Sequence, residues 1–242
     1  MNMLEGNFLD PNMPRKKDGL ILLYLYRIIR VIAIIFGNQR VLKVLLRAHW
    51  TIKRSAWALS TFEKDLHFVS NTQSVDRNLL SRVLRPRDKV LDLACGFGRL
   101  SIIAMELGCD VCGVDLDLAA VRSLKKSHSE GNWVHGDILN FVPSVRPDWI
   151  ILSNILEHLD DDLAFLNRIK EMTSKIIVEV PDFESDPLNY PASVYGVRWY
   201  SDADHVREYN LSSIRSLMVK AGWEISESIS RGHSIGIIAE IK

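Results

Sequence analysis

The sequence predicts an α/β fold: a doubly wound, mostly parallel sheet with an antiparallel last strand, behind a basic and apolar helical N-terminal extension. Three observations predict it. From residue 74 onward, short apolar strand runs alternate with helical patterns, which is the signature of βαβ units. The last two strand runs, 223–228 and 234–242, have no helix between them and so pair antiparallel at one edge. Residues 1–60 hold ten basic and three acidic residues against 20 and 27 in residues 61–242, so a basic end joins an acidic body. The domains expected are therefore a helical segment over 1–60 and an α/β domain over 61–242.

Composition narrows the classes. A chain of 242 residues buries a large core without disulfides or structural metals. With 47% hydrophobic and 25% charged residues it is not a disordered chain, and three cysteines make no disulfide scaffold. The zero net charge argues against a general nucleic-acid coat.

Residues 20–36 read LILLYLYRIIRVIAIIF, an apolar run broken only by Arg27 and Arg30. Two arginines in a run this short weigh against a membrane span, and no small-residue cleavage site follows for a signal peptide. Gly37-Asn38 breaks the helix, and 41–59 continues with Lys43, Arg47 and Arg54 at helical spacing and with Trp50 and Trp57 seven apart. Basic residues beside Trp, Leu and Ile are the composition of a helix lying in a membrane interface. A cap packed on the domain and a true span are the alternatives.

Beyond it, Ser74 is expected to cap a helix to about Leu84, with Arg85–Asp88 as the turn. Strands are expected at 90–94, 110–115, 132–137, 149–154 and 175–180, then the two edge strands. Helices are expected at 99–107 (stopped by Gly108), near 118–128, near 160–172 and at 211–221.

Strand 90–94 runs into Cys95-Gly96-Phe97-Gly98 and then a helix. Glycines at such a turn admit a ligand close to the backbone, outside the carboxyl ends of the strands. Asp115 ends the next strand, where a ribose-binding acid belongs, and Asp137 ends the third, where a carboxylate can accept from an exocyclic amine. The plain alternative for each acid is a helix cap. A dinucleotide-binding turn is the rival, but Ala94 holds the place of its first glycine.

VLDLACGFGRL, GVDLD, HGDIL, WIILSNILEHL and IIVEVP, in that order, resemble a class I S-adenosylmethionine-dependent methyltransferase, a Rossmann-like domain, over roughly residues 74–242. The resemblance implies S-adenosylmethionine as cofactor. It implies a loop of Asp92, Ala94, Cys95, Gly96 and Gly98 around the methionine part, and Asp115 with neighbouring Leu116 at the ribose. Asp137 then meets the adenine amine with Ile138 as its apolar neighbour, and Ser153 and Asn154 face the transferred methyl.

A hydroxyl acceptor profits from a general base, and His is the usual choice near neutrality. His205 is expected as a general base or substrate ligand. His158 is its companion, with a purely structural role as the alternative. No metal is assigned, although Glu157, His158 and His205 resemble part of the set in some metal-dependent O-methyltransferases, with Asn154 where those carry Glu. Cys109 and Cys112 are expected as buried thiols, because strand positions three apart face opposite ways. Residues 181–207 form a lid or substrate loop, rich in aromatics (Tyr190, Tyr195, Trp199, Tyr200) and acidic at Asp182, Glu184 and Asp186.

The expected function is O-methylation of a small or lipid-linked acceptor (a glycan, quinone or lipid head group) in the cytoplasm, peripheral to a membrane. Residues 15–59 meet the anionic surface, and nucleic acid is disfavoured. A metal-dependent RNA 2′-O-methyltransferase and an inactive cofactor-binding scaffold are the alternatives.

Overall fold

The computed structural model describes residues 19–60, 73–197, 200, 202 and 204–241. Residues 15–18, Trp199 and the Trp57 side chain, which the sequence singles out, lie outside what is described. The chain divides into two compact units, Met1–Lys53 and Arg54–Lys242.

In the first unit, α1 (Gly19–Phe36) stops at Gly37, whose φ of +89° is left-handed backbone, and α2 (Asn38–Ser60) begins at once, its last seven residues counting with the second unit. No residue of 19–60 is acidic, whereas seven are basic. Large apolar side chains stay exposed, among them Tyr24, Ile34, Ile35 and Phe36 on α1 and Val44, Ile52 and Leu59 on α2. Among the described residues, no helix is long and apolar enough to cross a membrane.

The second unit is a seven-stranded sheet in the order β3-β2-β1-β4-β5-β7-β6. Its strands are β1 (Lys89–Leu93), β2 (Asp110–Asp115), β3 (Asn132–His135), β4 (Trp149–Ser153), β5 (Lys175–Pro181), β6 (Glu224–Arg231) and β7 (Ser234–Glu240). The first five pair in parallel; β7 runs antiparallel between β5 and β6. Helices α3 (Arg77–Val83), α4 (Arg99–Glu106), α5 (Leu118–Ser127), α6 (Asp162–Met172), α7 (Asn189–Val194) and α8 (Leu211–Lys220) complete it.

Strand side chains alternate between faces, and two cores follow. Leu91, Ile150, Leu152, Ile176 and Ile237 pack with α6 and α8 through Leu166, Ile169, Ile214 and Met218. Val90, Ile151, Ile177 and Ile238 pack with α3, α4 and α5 through Leu79, Leu80, Ala104 and Leu124. Because both faces are covered, Ile150, Ile151 and Leu152 are all buried in sequence. Each such side chain contributes about 1.5–3 kcal/mol.

The structure corrects two local expectations. Asp76, not Ser74, caps α3, accepting from the Leu79 amide at 2.9 Å. Ser74 is buried and tied to Ser234, its amide donating to Oγ at 2.6 Å. Nor is 181–207 one open loop: a 3-10 turn at Phe183–Ser185 and helix α7 occupy part of it. Asp182 caps that turn, and Glu184 accepts from Asn210 Nδ2 at 2.8 Å, so these acids serve local structure.

Candidate active site

Strand order reverses between β1 and β4, and the candidate residues collect at the carboxyl edge around that point. After β1 the turn takes left-handed backbone at Ala94 (φ +62°), Gly96 (+52°) and Gly98 (+81°). The amides of Ala94 and Cys95 donate to the Val114 carbonyl, at 2.8 and 3.1 Å, pinning the turn to β2. A Cβ added at Gly96 would meet nothing within 4 Å, so the backbone there borders open space. A Cβ at Gly98 would stand 2.7 Å from Leu124 Cδ2; this glycine is required by packing.

Asp115, half-buried at the end of β2, holds the turn from the other side. Its Oδ2 accepts from the Gly96 amide at 2.6 Å and its Oδ1 from the Asp117 amide at 2.7 Å. The cap of α5 is Asp117, so Asp115 is not the capping acid. Leu116 beside it is 66% exposed. Asp137 closes a local turn, accepting from the Leu139 amide at 2.9 Å and from Asn140 Nδ2 at 2.8 Å. Ile138 is a correction: at 5% exposure it belongs to the core, and the exposed apolar neighbour of Asp137 is Leu139.

Asp92 lies beneath the turn, not at its surface. It is 2% exposed and accepts from Ser101 Oγ at 2.6 Å. Burial pushes its carboxyl up to about 6, against the lowering effect of Ser101 and Arg99.

Ser153 is corrected as well, because its hydroxyl turns inward. It donates to Glu179 Oε2 at 2.9 Å. Glu179, 1% exposed, also accepts from Arg99 Nη2, from the Val75 amide at 2.9 Å and from Ser234 Oγ at 3.1 Å. Sequence reasoning missed this network, which ties α4, β4, β5 and β7 together. Asn154 follows with φ +52°, its amide donating to the Glu179 carbonyl at 2.8 Å.

That left-handed step sends the chain into a 3-10 turn, Leu156–His158. Segment 204–209 is stitched onto it. The Val206 amide donates to the Glu157 carbonyl at 2.9 Å, Arg207 donates to the Leu159 and Asp160 carbonyls, and Tyr209 Oη donates to Asp162 Oδ2 at 2.6 Å. His205 is thereby laid against His158, ring centroids 4.6 Å apart and planes at 89°. His205 Nδ1 stands 2.9 Å from Glu208 Oε1, and His158 Nδ1 stands 3.3 Å from Asp204 Oδ2. Burial by itself would lower the His205 pKa, but the Glu208 hydrogen bond and charge prevail and raise it.

Glu157 completes the group. It is fully buried, and among the described residues neither carboxyl oxygen has a hydrogen-bond partner. Burial pushes its pKa up to about 8. Leaving a buried polar group unmatched costs about 1–3 kcal/mol. One ligand atom each from Glu157, His158 and His205 lies within 4.8 Å of the others. The sequence placed these three residues; the orphaned carboxylate, Glu208 and Asp204 emerge only from the fold.

The thiols stay protonated near neutral pH. Burial raises the pKa of Cys95, Cys109 and Cys112, that of Cys109 to about 11, and all three are free.

A sheet that reverses order at β1/β4, with a glycine turn and strand-end acids at its carboxyl edge, defines a nucleotide-binding type of α/β domain. The antiparallel β7 between β5 and β6 departs from the wholly parallel dinucleotide-binding sheet. The family model described as a methyltransferase domain matches residues 66–228. The chain belongs to this family, the class I S-adenosylmethionine-dependent methyltransferases of Rossmann-like fold.

Among relatives, a ribosomal protein L11 methyltransferase of Burkholderia vietnamiensis is 39% identical over 83 residues, 33% of this chain and 27% of that protein. A probable S-adenosylmethionine-dependent methyltransferase of Mycolicibacterium smegmatis is 23% identical over 154 residues, 61% of this chain and 56% of that one. The matches thus span from about a quarter to just over half of those relatives. Among solved structures, the magnesium protoporphyrin IX methyltransferase of Synechocystis with bound SAH superposes with TM-score 0.55 at 18% identity, covering 69% of this chain and 80% of that one. At that identity the likeness is one of fold.

Proposed function

We propose that the protein transfers the methyl group of S-adenosylmethionine to a hydroxyl of a small or lipid-linked acceptor, such as a glycan, quinone or lipid head group, at an anionic membrane surface. The observation that carries the chemistry is the convergence of Glu157, His158 and His205 on the turn that leaves β4, beside the strand ends fitted to the cofactor.

The residues present fit that cofactor. Open space at Gly96 admits its methionine part. Asp115 and Asp137 are acceptors whose remaining lone pairs suit ribose hydroxyls and an adenine amine, and exposed Leu116 offers an apolar face to the ring. Bound there, the cofactor supplies an electrophilic sulfonium methyl. The acceptor oxygen forms its bond to the methyl carbon as the sulfur–carbon bond breaks, so holding that oxygen in line accounts for much of the rate. The Glu157–His158–His205 group meets the hydroxyl and draws its proton. Arg99, Glu179 and Ser153 keep the turn and the end of β4 in register.

The membrane part rests on the first unit. Exposed apolar side chains (Ile34 at 80%, Ile52 at 68%) share α1 and α2 with seven basic residues and no acidic one. Apolar surface seeks a non-aqueous phase and the charges seek anions; an anionic bilayer surface offers both. A second copy would bring like charge against like.

The test is to incubate the protein with methyl-labelled S-adenosylmethionine and a membrane lipid extract. Label in an alkali-stable methyl ether of a lipid-soluble product is expected. Label in N-methyl or protein fractions would overturn the reading. A 2′-hydroxyl of RNA suits the same polar group, and label in 2′-O-methyl nucleotides would replace the lipid-linked acceptor with it. A protein that binds cofactor and labels nothing is a scaffold.

A further inference from the structure

We propose that Glu157, His158 and His205 form a binding site for a divalent first-row transition-metal ion. The proposal deepens the reading of the same site as one for hydroxyl methylation, and ion binding is tested independently of it.

The first observation is the buried Glu157 carboxyl, aimed into the group with both oxygens unmatched. Among the described residues no donor meets either oxygen in hydrogen-bond geometry, and a positive ion satisfies such an acceptor directly. The second observation is distance. Tetrahedral or cis ligand atoms around one ion at bond lengths of about 2.0–2.2 Å stand about 3–3.6 Å apart, so atoms within 4.8 Å need to close by about an ångström, within the reach of side-chain rotation.

The third is the outer shell. Glu208 Oε1 faces His205 Nδ1, and Asp204 Oδ2 faces His158 Nδ1. A carboxylate behind a histidine fixes the tautomer that carries its proton on Nδ1 and raises the basicity of Nε2, the arrangement found behind metal-bound histidines. Both His205 and Glu208 are nearly sealed, at 5% and 2% side-chain exposure, so the orientation is held by packing. The stitches from Val206 and Arg207 to the Glu157 turn hold both halves of the donor set together.

One carboxylate oxygen with two imidazole nitrogens suits Mn²⁺, Fe²⁺, Co²⁺ or Zn²⁺; Mg²⁺ and Ca²⁺ prefer oxygen donors throughout. Three protein ligands leave coordination positions for water or for the acceptor hydroxyl, whose acidity the ion would raise. With an ion bound, His205 would serve as a ligand in place of the base, and the more acidic hydroxyl would lose its proton to water.

The experiment is a titration of metal-stripped, full-length protein with Mn²⁺, read by electron paramagnetic resonance, and with Co²⁺, read by its absorption bands. Equimolar binding with imidazole-type Co²⁺ spectra is expected. Glu157→Gln and His205→Ala should each weaken binding at least a hundredfold, and Glu208→Gln about ten- to a hundredfold. Thermal melting and S-adenosylmethionine titration show whether each variant is folded. Absence of binding by the wild-type chain, or equal affinity in folded Glu157→Gln, would overturn the site. Cofactor binding by the stripped protein would leave the methyltransferase reading standing in either case.

Discussion

Asp92 carries a buried carboxyl whose pKa is pushed up to about 6 in the fold, from an ordinary 3.8. Burial disfavours its charged form, so the folded state holds the proton more tightly than the unfolded chain. The associated stability is fully present below about pH 3.8 and is lost as pH rises through about 6. Roughly two pKa units correspond to about 3 kcal/mol. Asp92→Asn, which keeps an acceptor for Ser101, should melt above the wild type at pH 7.5, with the gap closing as pH falls toward 4. A gap independent of pH would contradict this. At this scale the sequence was legible where a residue's place follows from its strand: Asp115 ends β2 as expected, and Asp137 and Asn154 fall two residues and one residue beyond the ends of β3 and β4. It was not legible where side-chain direction decides. Ile138 and Ser153 stand where expected but turn inward, and Glu157 lacks partners for reasons that only the closed fold contains.

The turn between β1 and α4 combines two constraints at Gly98. Its φ of +81° is strained for any residue with a Cβ, and that Cβ would stand 2.7 Å from Leu124 Cδ2. Gly98→Ala should therefore cost about 1–3 kcal/mol and loosen the turn proposed to hold the cofactor, read as a lower melting midpoint together with weaker cofactor binding. Glu179 joins four elements, and Glu179→Ala leaves Arg99 without its carboxylate. A loss of about 3–5 kcal/mol is expected in urea unfolding, and a change below 1 kcal/mol would show that the network is ornamental. The elements themselves were largely readable, β2 to the residue, because period-two and period-3.6 patterns survive in a sheet covered on both faces. Helix α7 escaped because Pro191 and a stretch of only six residues give no clear period.

For the molecule as a whole, the basic, apolar first unit and the cofactor-binding second unit make separate predictions. The full chain should co-sediment with vesicles containing anionic lipid and not with neutral ones. Replacing exposed Ile34, Ile35 and Ile52 by Glu should abolish it without lowering the melting midpoint. Equal partition onto neutral vesicles would contradict the electrostatic half of the argument. The central claim concerns the second unit, and calorimetric titration with S-adenosylmethionine, beside NAD(H), tests it most directly. The account predicts binding of S-adenosylmethionine alone, weakened at least tenfold in Asp115→Ala. Binding of the nicotinamide cofactor alone would contradict it.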